Sequence, residues 1–511
     1  MFFKLSLRVL ALCPLPLISP VFALPRPAST AGSGAPLVRK APNTQVLILG
    51  GGVTGIIAAR TLAAQGIDFL VVEARDELGG RMRSATFGAP NRRQTVELGA
   101  NWIHGTQEEG HPANPIYELA LKHTLKTVES DAHASIKTYD ANGAVDYLDL
   151  VHNAMDAYTQ FTIAAGARLP ENLVDLTARA GYALIGQKPK TLHEIASEYF
   201  VFDFTDGQSP EQSSFLASAW GCNFTYNVDQ GGFSEEDLLS IDERGFKYLI
   251  QAEAAEFLKP SQVHLQTTVA TIGYSDSGVS VTLTDGTVLT AEYAICTFSL
   301  GVLQNDDVQF HPPLPEWKVE AIHSMIMAPY TKIFLQFPQK FWFDTEFAVY
   351  ADSERGRYPI WQSLDIDGFL PGSGVIFVTV TGDFSKRIEA MTDAQVQSEV
   401  MQVLRAMFPS VAVPEPTAFL FPRWFSDPLY RGSYSTWAPS FVPQHVINLG
   451  APLGNLWFAG EATSEKYFGY LHGAYFEGEA AASQVVRCIK GQQCNPQPPI
   501  LYARNAFPYN L

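Results

Sequence analysis

Apolar runs punctuated by glycine begin near residue 46. Val46 to Leu49 is uninterrupted and predicts a buried parallel strand. Gly50-Gly51-Gly52-Val53-Thr54-Gly55 breaks it, and Ile56 to Ala64 continues as a helix of small and apolar residues. A second run, Phe69 to Val72, ends at Glu73. Val263 to Thr271, Gly278 to Leu283 and Val288 to Ala294 alternate, with Asp285-Gly286 as a hairpin turn. Tyr330 to Phe337 and Gly374 to Thr381 read as strands, and Ala394 to Phe408 as an amphipathic helix. Leu456 to Gly460 predicts a strand leading to Glu461, then a glycine-rich turn and a helix from Gly473 to Cys488. Residues 130–235 mix helical periodicity with Gly and Pro breaks and predict a helical insertion.

The turn after Leu49 matches G-x-G-x-x-G through Gly50, Gly52 and Gly55. The first glycine permits the tight bend, and the second lets backbone approach a pyrophosphate. The third lets the helix pack closely on the strand. Free N–H groups at the helix start would face the phosphates. Glu73, twenty-one residues beyond Gly52, can accept from ribose hydroxyls. Strand, turn, helix, strand and terminal acid favour a dinucleotide over a chance glycine-rich turn, but leave FAD and NAD open. The helical insertion is expected to lie away from this nucleotide site.

At 511 residues the chain exceeds one ordinary domain, and 46% apolar against 17% charged residues predicts a compact globular protein. A net charge of −17 argues against nucleic acid as a partner and is compatible with a polycationic ligand. Lys4, Arg8 and the mostly apolar residues up to Phe22 form a signal-peptide pattern, with cleavage expected after Ala23. Residues 24–43 read as a flexible leader rich in Pro, Ala, Ser and Gly. No other run reaches roughly 18 apolar residues, so no membrane span is expected. The expected location is therefore secreted, or a vesicular lumen, where Cys488 and Cys494 are expected to pair. Cys222 and Cys296 read as small buried residues, and no metal-site spacing is present. Asn223-Phe224-Thr225 is a glycosylation sequon.

The stretch after Glu73 separates the cofactors. Ala74-Arg75-Asp76-Glu77-Leu78-Gly79-Gly80-Arg81-Met82-Arg83-Ser84 resembles the second dinucleotide signature of the flavin-containing amine oxidases. Gly80 allows backbone contact, while Arg75 and Arg81 can reach a pyrophosphate and the flavin edge. Gly99, Ala100, Asn101 and Trp102 form a small-residue turn suited to a planar cofactor. Five separated segments between Val46 and Cys488 resemble the polyamine oxidase branch of that family. The resemblance implies an α/β fold with a discontinuous, Rossmann-like FAD-binding domain at 44–129, 236–322 and 421–490. It adds an α+β substrate-binding domain with a mixed sheet at 130–235 and 323–420, before a tail at 491–511.

Site residues follow from the same resemblance. Lys332 matches the lysine that reaches the flavin N5 through a water, and Tyr434 and Tyr470 match the aromatic pair that sandwiches the amine. Glu461, after Gly460, matches the acid on the ribityl chain; Trp424 matches a tryptophan lining the isoalloxazine, and Val269 the backbone contact to adenine. A helix beginning at Leu471 would direct its positive end at the flavin. Ser433 stands where some members attach FAD to cysteine, so non-covalent FAD is expected. His104 stands where plant-type secreted enzymes have glutamate and animal and yeast enzymes have histidine. It is expected to place the substrate, with the plant-branch acid absent from the mouth.

The implied reaction is oxidation of a C–N bond at a secondary amine of spermine, spermidine or their acetyl derivatives. O₂ is the oxidant, and the products are an aminoaldehyde, an amine and hydrogen peroxide. No obligatory protein partner is inferred. Another flavin amine oxidase, acting on monoamines or L-amino acids, is the first alternative. A catalytically silent flavin-binding protein is the second.

Overall fold

The computed structural model describes residues 44–130, 135–171 and 173–494. The predicted signal peptide and leader, and the tail beyond residue 494, lie outside the described residues. The fold is mixed α/β, organised around two large sheets.

The first sheet has eight strands. Val263–His264, Phe69–Val72, Thr44–Leu49 and Val288–Cys296 run parallel in that order. The long strand Val288–Cys296 uses its other edge twice. Its first half pairs antiparallel with Gly278–Leu283, and its last three residues pair parallel with Leu456–Phe458. The chain's late segment thereby returns beside its first strand. Val269–Ser275 and Gln309–His311 complete the sheet. The expected single strand from Val263 to Thr271 is broken, because Gln266 adopts a positive φ of 51° between its halves.

The helix Val53–Ala64 packs against the long helix Leu471–Ile489. Both present small residues at the contact: Ala58 and Ala59 on one, Ala481 and Ala482 on the other, all buried. Thr54 Oγ1 donates to Ala474 O at 2.9 Å across it. Gly55 is the packing glycine, since a Cβ there would collide with the Gly50 carbonyl. Cys488, in the last turn of the long helix, forms a disulfide with Cys494 just past its end.

The second sheet has seven strands in the order Ala418–Leu420, Tyr330–Gln336, Val375–Thr381, Ile360–Ser363, Phe347–Tyr350, Ile136–Asp140, Gly143–Ala144. Only the pairing of Phe347–Tyr350 with Ile136–Asp140 is parallel, so the sheet is mixed. Val375–Thr381 is buried along its whole length, which explains its largely apolar, β-branched sequence. The helix Asp393–Met407 covers this sheet with Val396, Val400 and Leu404, and Thr392 with Gln395 closes a capping box at its start. The 130–235 segment is not purely helical as expected, because Ile136–Asp140 and Gly143–Ala144 form the edge of this sheet. The rest is helical and holds an aromatic core of Phe161, Tyr182, Phe202 and Phe215. Among the described residues no helix is long and apolar enough to cross a membrane.

One buried lysine is structural. Lys318 Nζ donates to the carbonyls of Asn448, Leu449 and Ala451 at 2.7, 2.8 and 2.5 Å. These carbonyls end the helix Pro443–Gly450, whose last turn has no intrahelical donors for them. Lys318→Met should leave them buried without these donors and cost at least about 2 kcal/mol. Urea unfolding of the two proteins measures the difference; equal midpoints at equal slope would refute the role.

Candidate functional site

A cavity of about 1750 Å³ runs between the glycine-rich turns and the helical region. Gly50, Gly52, Glu73, Arg75, Gly80 and Arg81 line one end, with Val269 beside them. Gly99, Ala100, Asn101, Trp102, Lys332 and Trp424 line its middle, together with Gly460, Glu461 and Leu471. His104, Tyr434 and Tyr470 lie toward the helical region. Of the site residues read from sequence, Gly55 alone is off the wall, where it packs the first helix. The 130–235 segment does not lie apart from this space, since Tyr158, Phe204, Asp206 and Tyr226 are on the same wall.

The dinucleotide end is built from backbone. Gly52 precedes the helix Val53–Ala64, and no side chain caps its first turn, so its N–H groups face the cavity end. A Cβ on Gly80 would come within 3.0 Å of the Gly52 Cα, so the two turns approach as only glycines allow. Glu73 Oε2 accepts from Gly51 N at 2.7 Å and Oε1 from Arg75 N at 2.7 Å. The Arg75 guanidinium pairs with Asp427 and lies 4.7 Å from the Tyr430 ring, while its buried Nε has no partner among the described residues. A glycine cradle, an acid at the strand end and a partly unsatisfied arginine fit the diphosphate and ribose of a dinucleotide.

Glu461 gathers the middle. Its Oε1 accepts from Arg81 Nη1 at 2.7 Å and from Ser435 N at 3.2 Å. Its Oε2 accepts from Gly469 N at 2.7 Å and from the Ser435 hydroxyl. Ser433, the expected non-attachment position, instead bonds Tyr330 O through Oγ at 2.8 Å and receives Arg81 on its carbonyl at 3.1 Å. Trp424 donates Nε1 to Leu98 O at 3.1 Å, fixing its indole edge to the same turn.

Lys332 sits on Tyr330–Gln336 and is buried. Its Nζ donates to Gly99 O and Asn101 Oδ1, both at 2.7 Å, and to Glu97 O at 3.3 Å. It thus pins the Gly99–Trp102 turn to the second sheet. Burial lowers its pKa to about 7, partly opposed by Glu97. Burial raises the Glu97 carboxyl to about 8.

The far end is aromatic and acidic. Tyr434 donates to Thr205 O at 2.9 Å, and its ring lies 5.7 Å from Tyr330. The Tyr470 ring lies 5.3 Å from His104, nearly perpendicular to it, and its hydroxyl meets Cys222 Sγ at 3.5 Å. Cys222 is therefore a wall residue rather than the core residue expected from sequence. The sequon asparagine, Asn223, lies in the helix Phe215–Tyr226 on the same wall, and Thr225 is fully buried against His472. The sequon is thus not carried on an exposed loop.

Two acids escaped the sequence reading. Asp237 stands directly across from His104 in the pairing of Trp102–His104 with Asp237–Ser240. The mouth therefore does carry a carboxylate at His104, supplied by another strand. Asp206 is buried on the wall, its Oδ2 has no partner among the described residues, and burial raises its pKa to about 8, partly opposed by the Ser218 hydroxyl. Nothing in its local sequence marks it; a buried carboxyl beside tyrosines and without a cation is a feature of the fold.

A family model described as flavin containing amine oxidoreductase matches residues 53–486. Polyamine oxidase 1 of Zea mays is 36% identical over 473 residues, which is 88% of this chain and 92% of that protein. Polyamine oxidase 6 of Oryza sativa subsp. japonica is 34% identical over 489 residues, 92% of this chain and 94% of that protein. The solved cyclohexylamine oxidase from Brevibacterium oxydans IH-35A superposes with a TM-score of 0.69 at 20% identity, covering 88% of this chain and all of that one. That likeness is one of fold.

The buried lysine has a pH signature. An unfolded lysine keeps its proton up to about 10.5, whereas folded Lys332 releases it near 7. Between these values the unfolded chain binds more protons, so stability should rise with pH. Relative to Lys332→Met, the wild type should gain up to about 1.4 kcal/mol per pH unit between pH 8 and 10, above the Glu97 titration. Urea midpoints that move in parallel for both proteins would show that Lys332 keeps an ordinary pKa.

Proposed function

The chain belongs to the flavin-containing amine oxidoreductases, and on that premise we propose that it is an FAD-dependent polyamine oxidase. The wall at the far end of the cavity carries the substrate class. Asp237, Glu108 and Glu235 line it together with Tyr158, Tyr434 and Tyr470. Carboxyls attract a chain of ammonium groups, and aromatic faces hold an amine while excluding water. Its relatives in maize and rice, named polyamine oxidases, support the same reading over most of their length.

Bound FAD supplies the two-electron oxidation of a C–N bond and the passage of those electrons to O₂ as hydrogen peroxide. Gly52, Gly80, Glu73 and Arg75 would hold its diphosphate and ribose, and Arg81, Glu461 and the start of the helix at Leu471 its flavin half. That helix has no side-chain cap, so its N–H groups favour negative charge nearby. Lys332 holds the turn at Gly99 in place and offers its amine on the wall between the two halves. Tyr434 and Tyr470 place the substrate nitrogen and keep the region dry. A neutral amine is the reactive form, and the imine product is hydrolysed to an aldehyde and an amine. The proposal includes export, supported by the Cys488–Cys494 bridge, because such bridges persist in oxidising compartments.

Spermine or spermidine added without oxygen should bleach the flavin absorbance of the holoenzyme, and admitted O₂ should restore it with peroxide release. Absence of bleaching by any polyamine, with bleaching by a monoamine or an amino acid, would move the substrate class. Tyr434→Ala and Tyr470→Ala should each lower kcat/KM by roughly 5- to 30-fold, matching about 1–2 kcal/mol of aromatic contact to a desolvated amine. Unchanged values in both would remove the tyrosines from the substrate site.

Acid precipitation should release all the FAD into the supernatant. Ser433 offers no thiol, and its hydroxyl is committed to Tyr330 O. Flavin retained in the washed pellet would establish covalent attachment at another residue.

A further inference from the structure

His104 is held by two groups that no local motif announces. It ends the strand Trp102–His104 directly opposite Asp237, so both side chains emerge on the same face of the ribbon. Tyr226, the last residue of the helix Phe215–Tyr226, adds its hydroxyl from a third direction. The hydroxyl lies 2.8 Å from His104 Nδ1, and 3.1 and 3.3 Å from the two Asp237 oxygens. Nδ1 also lies 3.3 Å from Asp237 Oδ1, which accepts from Gly105 N at 3.3 Å.

The proton arrangement follows from counting donors. A carboxylate has no proton, and a tyrosine hydroxyl has one. Burial and the adjacent Asp237 hold the Tyr226 hydroxyl protonated, well above the ordinary tyrosine range. The carboxylate is the stronger acceptor, so that proton points to Asp237. Nδ1 then faces two acceptor oxygens and must carry the imidazole proton. In the neutral ring Nε2 is left as a lone pair, and no described residue bonds it. The ring lines the cavity beside Tyr470.

We propose that Asp237 and Tyr226 are positioning residues that fix His104 in its Nδ1-protonated form, so that Nε2 accepts a proton from a substrate ammonium. The inference rests on the polyamine reading of the same site. In the transfer an N–H bond of the ammonium breaks and an Nε2–H bond forms; no electrons change hands, and the amine is left neutral. The resulting imidazolium stands beside the Asp237 carboxylate, which offsets its repulsion of the remaining ammonium groups. Tyr470 faces His104 edge-on, and His472 stacks on the Tyr470 ring; both come from the segment that starts the last helix. Burial holds the Tyr470 hydroxyl well above its ordinary range and His472 well below its own, so both stay neutral. Glu108 and Glu235 line the same end of the cavity and are exposed.

Two measurements on the holoenzyme test this. The first needs no substrate. With ¹⁵N-labelled histidine, the His104 signals, assigned by their loss in His104→Gln, should report a protonated Nδ1 and a bare Nε2. Asp237→Asn combined with Tyr226→Phe should let the tautomers exchange. A wild-type ring protonated on Nε2 overturns the proposal whatever the substrate is. The second measurement is anaerobic bleaching by spermine against pH. Asp237→Asn should slow it by roughly 100-fold at neutral pH, the scale of general base catalysis. It should also change the acid limb of the pH profile, since the carboxylate opposite His104 is gone. Asp237→Glu should recover much of the rate. A uniform loss at every pH with no shift would make Asp237 merely structural and overturn the proposal. No bleaching of wild type by polyamines, with the Nδ1-protonated ring still observed, would instead overturn the substrate reading and leave the tautomer assignment standing.

Discussion

The cavity depends on one carboxylate. Glu461 follows the strand Leu456–Phe458, which is fixed by its parallel pairing with Val288–Cys296. From there it binds Arg81, Ser435 and Gly469. Arg81 belongs to the segment after the second strand, and the other two flank the tyrosines at 434 and 470. A buried carboxylate needs several donors to offset its lost hydration, and each charged hydrogen bond contributes about 1.5–3 kcal/mol. The donors come from three separate stretches of chain. Satisfying one charge therefore fixes the relation between the dinucleotide end and the aromatic end.

The same logic explains why the first sheet is assembled from distant segments. Thr44–Leu49 and Phe69–Val72 need apolar cover on both faces, as parallel strands do. The helices Val53–Ala64 and Leu471–Ile489 contribute to it, the first from the start of the chain and the second from its end. Their close approach through alanines and glycines requires Leu456–Phe458 to lie in the sheet, because the last helix begins soon after that strand. Docking this late segment sets Glu461, Gly469 and Tyr470 in place at once. The residues that pack the helices and those that build the site thus share one late segment of chain.

What was legible in the sequence divides along contiguity. The turn at Gly50, the strand Phe69–Val72 and Glu73 lie within one short stretch whose periodicity and glycines state its structure. The strands Gly278–Leu283 and Tyr330–Gln336 and the helix Asp393–Met407 also agree with their patterns to within a residue or so. The sheet edge at Ile136–Asp140 was not legible, because a strand at a sheet edge next to a long helix carries little alternation of its own. Asp237, Tyr226 and Asp206 were illegible for a different reason. Each is an ordinary residue in its own segment. Asp237 acquires meaning from strand register, Tyr226 from where its helix ends, and Asp206 from burial with no cation beside it among the described residues.

The two buried lysines show what sequence cannot separate. Lys318 and Lys332 are both almost wholly buried, and each donates to three oxygens of a distant segment. Both solve the same physical problem, since an ammonium removed from water must find acceptors for its protons. Lys318 finds them at the end of a helix, beneath the ring of Phe458, whose centroid lies 4.1 Å away. Lys332 finds them on the turn that forms the cavity wall, and it lines that wall itself. Burial, hydrogen-bond number and a depressed pKa therefore do not mark a functional lysine. The distinguishing quantity is access: only Lys332 stands at the boundary between a rigid turn and a space large enough to admit a ligand.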